Sequence, residues 1–455
     1  MNARESSQAD LKDFERRVQS ALSTTEAIRV HGRIVEVLGN IVRTVGIQCQ
    51  VGELCELRMG QNAIGYAEVI GFSDKTTYLS PLGNISHLSP RVSVIPLGRA
   101  HEIPVGEGLL GRIVNGFGAT IDARAAPDRV SMAPIDNNPP NPISRTAINK
   151  PFETGLAVID TLLSCGVGQR VGVFAPAGAG KSTLLGNLAR NAKADINVIA
   201  LIGERGRELG DFLRNNLDSK TLERTVIVVT TSDRSAMERV RAAQVATTIA
   251  EHFREKGKHV LLLMDSLTRL ARAQREIGLA IGEPPTRRGY PPSVFTMLPR
   301  LLERTGTSEN GAITAFYTIL TEGEENDDPV AEEVRAILDG HLILSRTLAA
   351  ANHHPAIDLL QSSSRVSQQV TTKEEQALAD KARLAIANYQ EVKLLVQIGE
   401  YQSGANSQTD EAVRLDPLLR EFTRQTGDKA PISRVKAFKA LSSLMQSPPT
   451  EKAED

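Results

Sequence analysis

The 455-residue chain has no tryptophan, and aromatic residues make up only 4% of it. That scarcity leaves few platforms for stacking single-stranded bases. An excess of one charge is missing too: 53 basic residues face 54 acidic ones, for a formal net charge of −1. No whole-protein basic field is available to hold a nucleic-acid backbone. The expected partners therefore include no nucleic acid. Cysteine is rare. Cys49, Cys55 and Cys165 are odd in number and show neither CxxC nor metal-ligand spacing, so reduced, buried thiols of a cytoplasmic protein are expected. No run of about 18 apolar residues is present. The opening Met1 to Ser7 has no apolar signal-peptide core. These absences predict a cytoplasmic protein.

What is there is a concentrated phosphate-binding pattern. An apolar run, Arg170 to Ala175, leads into Pro176, Ala177, Gly178, Ala179, Gly180, Lys181, Ser182 and Thr183, and a helix-forming stretch follows to Asn191. Strand, glycine-rich turn and helix are the context such a loop requires. Small residues let backbone N–H groups curl around phosphate oxygens, and the helix N-terminus adds its positive dipole end. Lys181 is placed to reach the β- and γ-phosphates, and the Ser182 hydroxyl to ligate Mg²⁺. The usual first glycine is Ala175 here. This pattern binds a nucleoside triphosphate.

Around it the chain divides by pattern. Residues 1–26 read as a polar helical leader whose Leu11, Phe14, Val18 and Leu22 fall on one narrow face. That face packs on its own domain or docks on another protein. Residues 27–97 carry short β-branched runs between turn residues, beginning with a hairpin, Arg33–Leu38 and Ile41–Val45 around Gly39 and Asn40. They predict a small barrel. Residues 98–366 alternate strands with helices, with strands at Val171–Ala175, Asn197–Gly203, Thr225–Thr230, His259–Asp265, Ala312–Thr321 and His341–Ser345. The fold class is α/β, a doubly wound parallel sheet. Residues 367–446 are helix-rich, and 447–455 read as a disordered tail.

Three further segments carry chemistry. The strand Val260 to Asp265 ends in a carboxylate at the sheet's carboxyl edge, where Asp265 suits Mg²⁺ held through water. Glu204 follows another strand and is the candidate to orient or deprotonate water; Arg205 either anchors it or touches phosphate. Arg365 closes the small-residue stretch from Ser362, and its permanent charge suits either a phosphoryl transition state or a structural ion pair. Residues 282–293 hold two Pro-Pro pairs around Gly289, so Arg287 and Arg288 project from a braced loop or are simply solvated.

With these pieces assembled, the chain resembles the catalytic subunits of the rotary ATPase superfamily. The resemblance lies in Pro355 to Asp358 with Ser362 to Ser364, and in Gly203, Glu204 and Arg205. More narrowly it resembles the ATPases of type III protein secretion, including the flagellar export ATPase. The stretches Cys165 to Arg170, Asp265 to Arg269, Ala271 to Gly278, Gly282 to Ser293 and Asp327 to His341 carry that likeness. Residues Tyr389 to Leu395 and Gly399 to Gln402 look more like the injectisome branch than the flagellar one. The family implies a six-stranded N-terminal barrel, a RecA-like ATPase core and a C-terminal helical domain, assembled as a homohexamer with sites between subunits. It implies ATP with Mg²⁺, Arg365 as an arginine finger for the neighbouring site, and His354 at the adenine-stacking position where relatives usually carry tyrosine. It also implies a central stalk protein at the 282–293 loop, a stator-like regulator at the leader, an export gate, chaperone–effector complexes, and a seat at the cytoplasmic face of the inner membrane. A synthase or vacuolar subunit, a non-catalytic nucleotide-binding subunit and a hexameric RNA helicase are the competing readings. Lys181 and Glu204 together argue against the second, and the neutral charge against the third.

Overall fold

The computed structural model describes residues 14–19, 31–83, 88–321, 328–404, 406–425 and 431–446. Of the leader's four anchors, Phe14 and Val18 lie on a short helix at 14–19, both exposed. Leu11, Leu22 and the 447–455 tail lie outside the described residues.

Two compact units divide the chain, Met1–His101 and Glu102–Asp455. The first holds a closed barrel whose strands run in spatial order Gly32–Leu38, Ile41–Val45, Thr76–Pro81, Asn62–Ser73, Glu53–Met59 and Ser93–Ala100. The expected hairpin is present: Leu38 faces Ile41, and Gly39 makes the turn at φ +54°, a conformation glycine adopts freely. Alternation along the strands turns Ile34, Val42, Leu57, Val69, Leu79 and Val94 into one core, and closure leaves no edge. Cys55 sits in that core, where burial pushes its thiol up to about 12. All three cysteines are free.

The second unit is built on a nine-stranded sheet. Its central order is Gly340–Leu344, Arg170–Ala175, Ala312–Leu320, His259–Asp265, Ile196–Glu204 and Thr225–Thr231, all parallel. These are the six strands expected from sequence, with ends shifted by a residue or so. Strands covered on both faces read as continuous apolar runs, and every residue of Ile196–Glu204 is buried. Two edge strands were not expected. Ile113–Asn115 lies parallel beside Thr225–Thr231, and Ile357–Ser364 lies antiparallel beside Gly340–Leu344. The latter escapes pattern reading because its burial does not alternate. Its register slips between His341 and Ile343, and Asp358 accepts the N–H groups of Leu360 and Gln361 at 3.1 Å each.

Helices Lys373–Ile398, Ser407–Thr423 and Arg434–Gln446 complete the chain. A capping box, Thr372 with Glu375, starts the first, and Gly399 at φ +80° ends it. Ala382, Leu415, Leu419 and Leu441 join Ile159, Leu184 and Leu188 in one apolar core. Leucines buried as fully as Leu415 and Leu441 contribute about 1.5–3 kcal/mol each. The helical segment and the α/β layer are therefore one packed body. Among the described residues, no helix is long and apolar enough to cross a membrane.

Candidate active site

The carboxyl ends of the parallel strands gather at one edge of the sheet. There the strand Arg170–Ala175 delivers the loop 176–180 and the helix Lys181–Asn191. Gly178 and Gly180 take left-handed φ values of +80° and +83°, which side chains disfavour. Ala177 is exposed, while Ala179 is buried and its N–H closes the loop onto the Pro176 carbonyl at 3.3 Å. No side chain caps the helix. The N–H groups of Lys181, Ser182 and Thr183 thus stand at its positive end without intrahelical partners.

Two carboxylates share Lys181. Its ammonium donates to Asp265 Oδ1 and lies 3.6 Å from Glu204 Oε1. Asp265 ends the strand His259–Asp265, and its Oδ1 also accepts from the Thr318 hydroxyl at 2.7 Å. Glu204 ends the strand Ile196–Glu204 and is only 7% exposed. Its Oε2 accepts from Arg269 Nη2 at 3.0 Å, while Arg269 Nη1 donates to the Gly203 carbonyl. Burial first, then the neighbouring charge of Asp265, pushes the Glu204 carboxyl up to about 7; Lys181 and Arg269 pull the other way. A carboxylate poised near neutrality suits proton transfer at working pH.

Arg205 stands apart. Its guanidinium is 78% exposed and pairs with Glu208 at 3.7 Å. The arginine on Glu204 is Arg269, from the helix Leu267–Ala280. Arg269 lies within a motif the sequence shows, but only the structure gives it a partner. Thr318, mid-strand in the sheet, carries no distinguishing signal in sequence.

The exposed Ser182 hydroxyl and the Asp265 carboxylate flank the loop edge. Among the described residues no group of three or more His, Cys, Asp or Glu could hold a metal ion. One hydroxyl and one carboxylate suit Mg²⁺ arriving with phosphate oxygens to complete its shell. The donor set fits.

His354 lies over the loop: a Cβ on Gly180 would meet its Nδ1 at 3.3 Å. Its main-chain carbonyl accepts from the Gln425 N–H at 2.6 Å. The Gln425 side chain in turn clasps the Gly155 carbonyl and the Ala157 N–H, at 2.9 and 3.0 Å.

Arg365 is not brought to this edge. The antiparallel strand begins at the loop edge, where Ile357 pairs with Leu344, and ends where Ser364 pairs with Gly340. Arg365 N–H then donates to the Asp339 carbonyl at 2.9 Å, beside the start of the phosphate-loop strand. At about 3.3 Å per residue, the strand from Arg170 to Ala175 sets the two edges roughly 17 Å apart. Lys181 and Arg365 of one chain lie on opposite edges of the sheet.

Residues 155–364 match the nucleotide-binding domain of the ATP synthase alpha/beta family, and residues 34–98 its beta-barrel domain. Residues 371–443 match the T3SS EscN ATPase C-terminal domain. A type 3 secretion system ATPase of Xanthomonas euvesicatoria is 50% identical over 417 residues, 91% of this chain and 94% of that one. The chain belongs to the type 3 secretion system ATPases. A flagellum-specific ATP synthase of Bacillus subtilis (strain 168) is 43% identical over 93% of this ATPase and 97% of its own chain, a lower identity in keeping with the injectisome reading. The assembled ATPase EscN of enteropathogenic E. coli superposes with a TM-score of 0.86 at 43% identity, over 91% of this chain and 100% of that one. EscN solved with its central stalk EscO gives 0.84, with the same identity and coverage. The ATPase hydrolyses ATP to energise type 3 protein secretion.

Proposed function

We propose that the ATPase cleaves Mg-ATP with Glu204 as the base that orients and deprotonates water, a role worth about 10²–10⁴-fold. The observation that carries this is the seat of Glu204: buried, its carboxyl near 7, one oxygen on Arg269 and the other facing Lys181. Lys181 and the backbone of Ala177 to Thr183 hold the phosphates, and His354 stacks on adenine. Arg205, which does not hold Glu204, keeps the phosphate-contact role. Ser182 and Asp265 would hold Mg²⁺, which supplies charge neutralisation at the phosphates.

Glu204 must be ionised to accept a proton, so acid should silence the enzyme. Below about pH 7 its protonated fraction grows, and kcat/KM is expected to fall roughly tenfold per pH unit, levelling off above. A flat kcat/KM profile between about pH 6 and 8 would remove Glu204 as the base.

The sites are completed between copies of the chain in a homohexamer, where Arg365 serves the phosphate loop of the next subunit. The opposite-edge placement of Lys181 and Arg365 supports this, because one chain cannot bring them together. Specific ATPase activity should therefore climb with protein concentration and reside in the assembled fractions after size separation. Equal specific activity in monomeric fractions would contradict a shared site.

The remaining partners follow the family. The leader docks a stator-like regulator through Leu11, Phe14, Val18 and Leu22, and the ATPase sits at the cytoplasmic face of the inner membrane against the export gate. It receives chaperone–effector complexes there, releases chaperones and unfolds effectors. The central stalk meets the 282–293 loop, which is braced as expected. Thr286 bonds the Tyr290 carbonyl through its N–H at 2.9 Å and its hydroxyl at 2.8 Å, and Arg287 lies 5.7 Å from the Phe295 ring centre. Replacing Arg287 and Arg288 together by Glu should leave basal hydrolysis intact and reduce stalk-stimulated hydrolysis. Unchanged stimulation in an assembled double variant would remove both arginines from the stalk contact.

A further inference from the structure

We infer that Arg335 is a positioning residue for Arg365, the rear charge of an arginine pair that one copy of the ATPase presents to the nucleotide phosphates held on the next. This rests on the shared-site reading of Arg365.

Arg335 lies in the last turn of the helix Pro329–Ile337. Its guanidinium carbon sits 4.8 Å from the centre of the Phe174 ring, and His341 meets the same ring edge-on at 6.1 Å. Phe174 can lie there only because residue 172 is glycine: a Cβ on Gly172 would meet the ring at 2.6 Å. The main-chain carbonyl of Arg335 accepts from Arg365 Nη2 at 3.3 Å. The Arg365 guanidinium is thus tied to the main chain of Arg335, whose own guanidinium lies on Phe174.

No anion answers them. Nε and Nη2 of Arg335 are shielded from solvent and have no hydrogen-bond partner. Asp339, about one turn further along the chain, is committed to Arg170 through bonds of 3.0 and 3.1 Å. Asp358 caps Leu360 and Gln361, and Glu332, one turn back on the helix, is exposed. Among the described residues neither Arg335 nor Arg365 has a carboxylate partner. His341 does not help. Its Nε2 donates to the Gln361 carbonyl at 3.0 Å, and burial followed by the charge of Arg335 favours its neutral form.

Stacking on Phe174 explains where Arg335 rests but not why its charge is left unanswered. Burying an unpaired guanidinium is costly, and that cost falls when an anion approaches. A polyphosphate on the adjoining copy supplies one. Before it arrives, the Nη2 bond to the Arg335 carbonyl tethers the Arg365 guanidinium, the main-chain bond to Asp339 fixes its base, and the Arg335 charge disfavours any inward turn of the free N–H groups. Arg335 acts through Arg365 and does not itself touch phosphate.

The test uses the full chain. Arg335→Gln and Arg335→Met keep the stem on Phe174 and the main-chain carbonyl but remove the charge. Each is expected to lower kcat by roughly tenfold, with unchanged affinity for a fluorescent ATP analogue at its own loop; Arg335→Lys should restore most activity. Mixed with Lys181→Ala chains, Arg335→Gln should regain activity, since some interfaces pair an intact loop with two intact arginines. Mixed with Arg365→Ala chains it should not, since every mutant–mutant interface lacks one of the pair. Recovery with Arg365→Ala but not with Lys181→Ala would place Arg335 in its own subunit's site and overturn the proposal. So would an unchanged kcat, or failure of both neutral variants to assemble, which would make Arg335 structural. The control is Arg365→Ala mixed with Lys181→Ala. No recovery there defeats the shared-site reading itself and the proposal with it; recovery there with none for Arg335→Gln defeats the proposal alone.

Discussion

Arg365→Ala is expected to cut turnover by about 10³-fold or more while nucleotide still binds the variant's own loop. The guanidinium is exposed, carries no carboxylate partner among the described residues, and sits at the edge of the sheet away from Lys181. Its removal therefore disturbs little within its own fold. Steady-state hydrolysis, set against binding of a fluorescent ATP analogue, separates the two effects. Mixing Arg365→Ala chains with Glu204→Gln chains should bring back part of the activity, because some interfaces then join an intact carboxylate to an intact arginine. No recovery in rings shown to be mixed would count against delivery from a neighbour.

Glu204→Gln should lower turnover by about 10²-fold or more with Mg-ATP binding preserved. The amide matches the carboxylate in volume and its oxygen still accepts from Arg269, so the pocket stays filled. What disappears is basicity. Lys181 keeps Asp265 as its partner, which itself is held by Thr318. Lys181→Ala should behave differently, weakening phosphate binding and activity together. Near-normal turnover in Glu204→Gln would take that residue out of the mechanism.

Much of this site is legible without coordinates, for a simple reason. The phosphate loop, Glu204 and Asp265 each follow an apolar run, and parallel strands deliver their carboxyl ends to one edge. Reading three strand endings is then enough to gather three functional groups. The pairings among side chains are not legible in the same way. Arg269 on Glu204 and Thr318 on Asp265 join elements far apart in sequence. Nothing local distinguishes Arg269 from Arg205, which lies next to Glu204 in the chain yet turns to Glu208. The strand Ile357–Ser364 stays hidden because its half-exposed, serine-rich edge lacks the alternation that marks a strand. The two Pro-Pro pairs bar a continuous helix, as the sequence predicts, but Pro292 also opens the helix Pro292–Leu302, where a missing N–H costs nothing.

That hidden strand has a consequence for how copies of the chain can be counted. By reversing direction, Ile357–Ser364 carries Arg365 away from the loop edge, so under the proposed shared site each copy owns one donor face and one acceptor face. Copies joined donor to acceptor make a heterologous contact, which either closes or grows without end. An open row always leaves a loop at one end unserved and an arginine at the other unused. Closure removes both loose ends at once. A lone chain in solution would hold ATP and leave it whole, and full activity would mark the moment the last gap in the ring is filled.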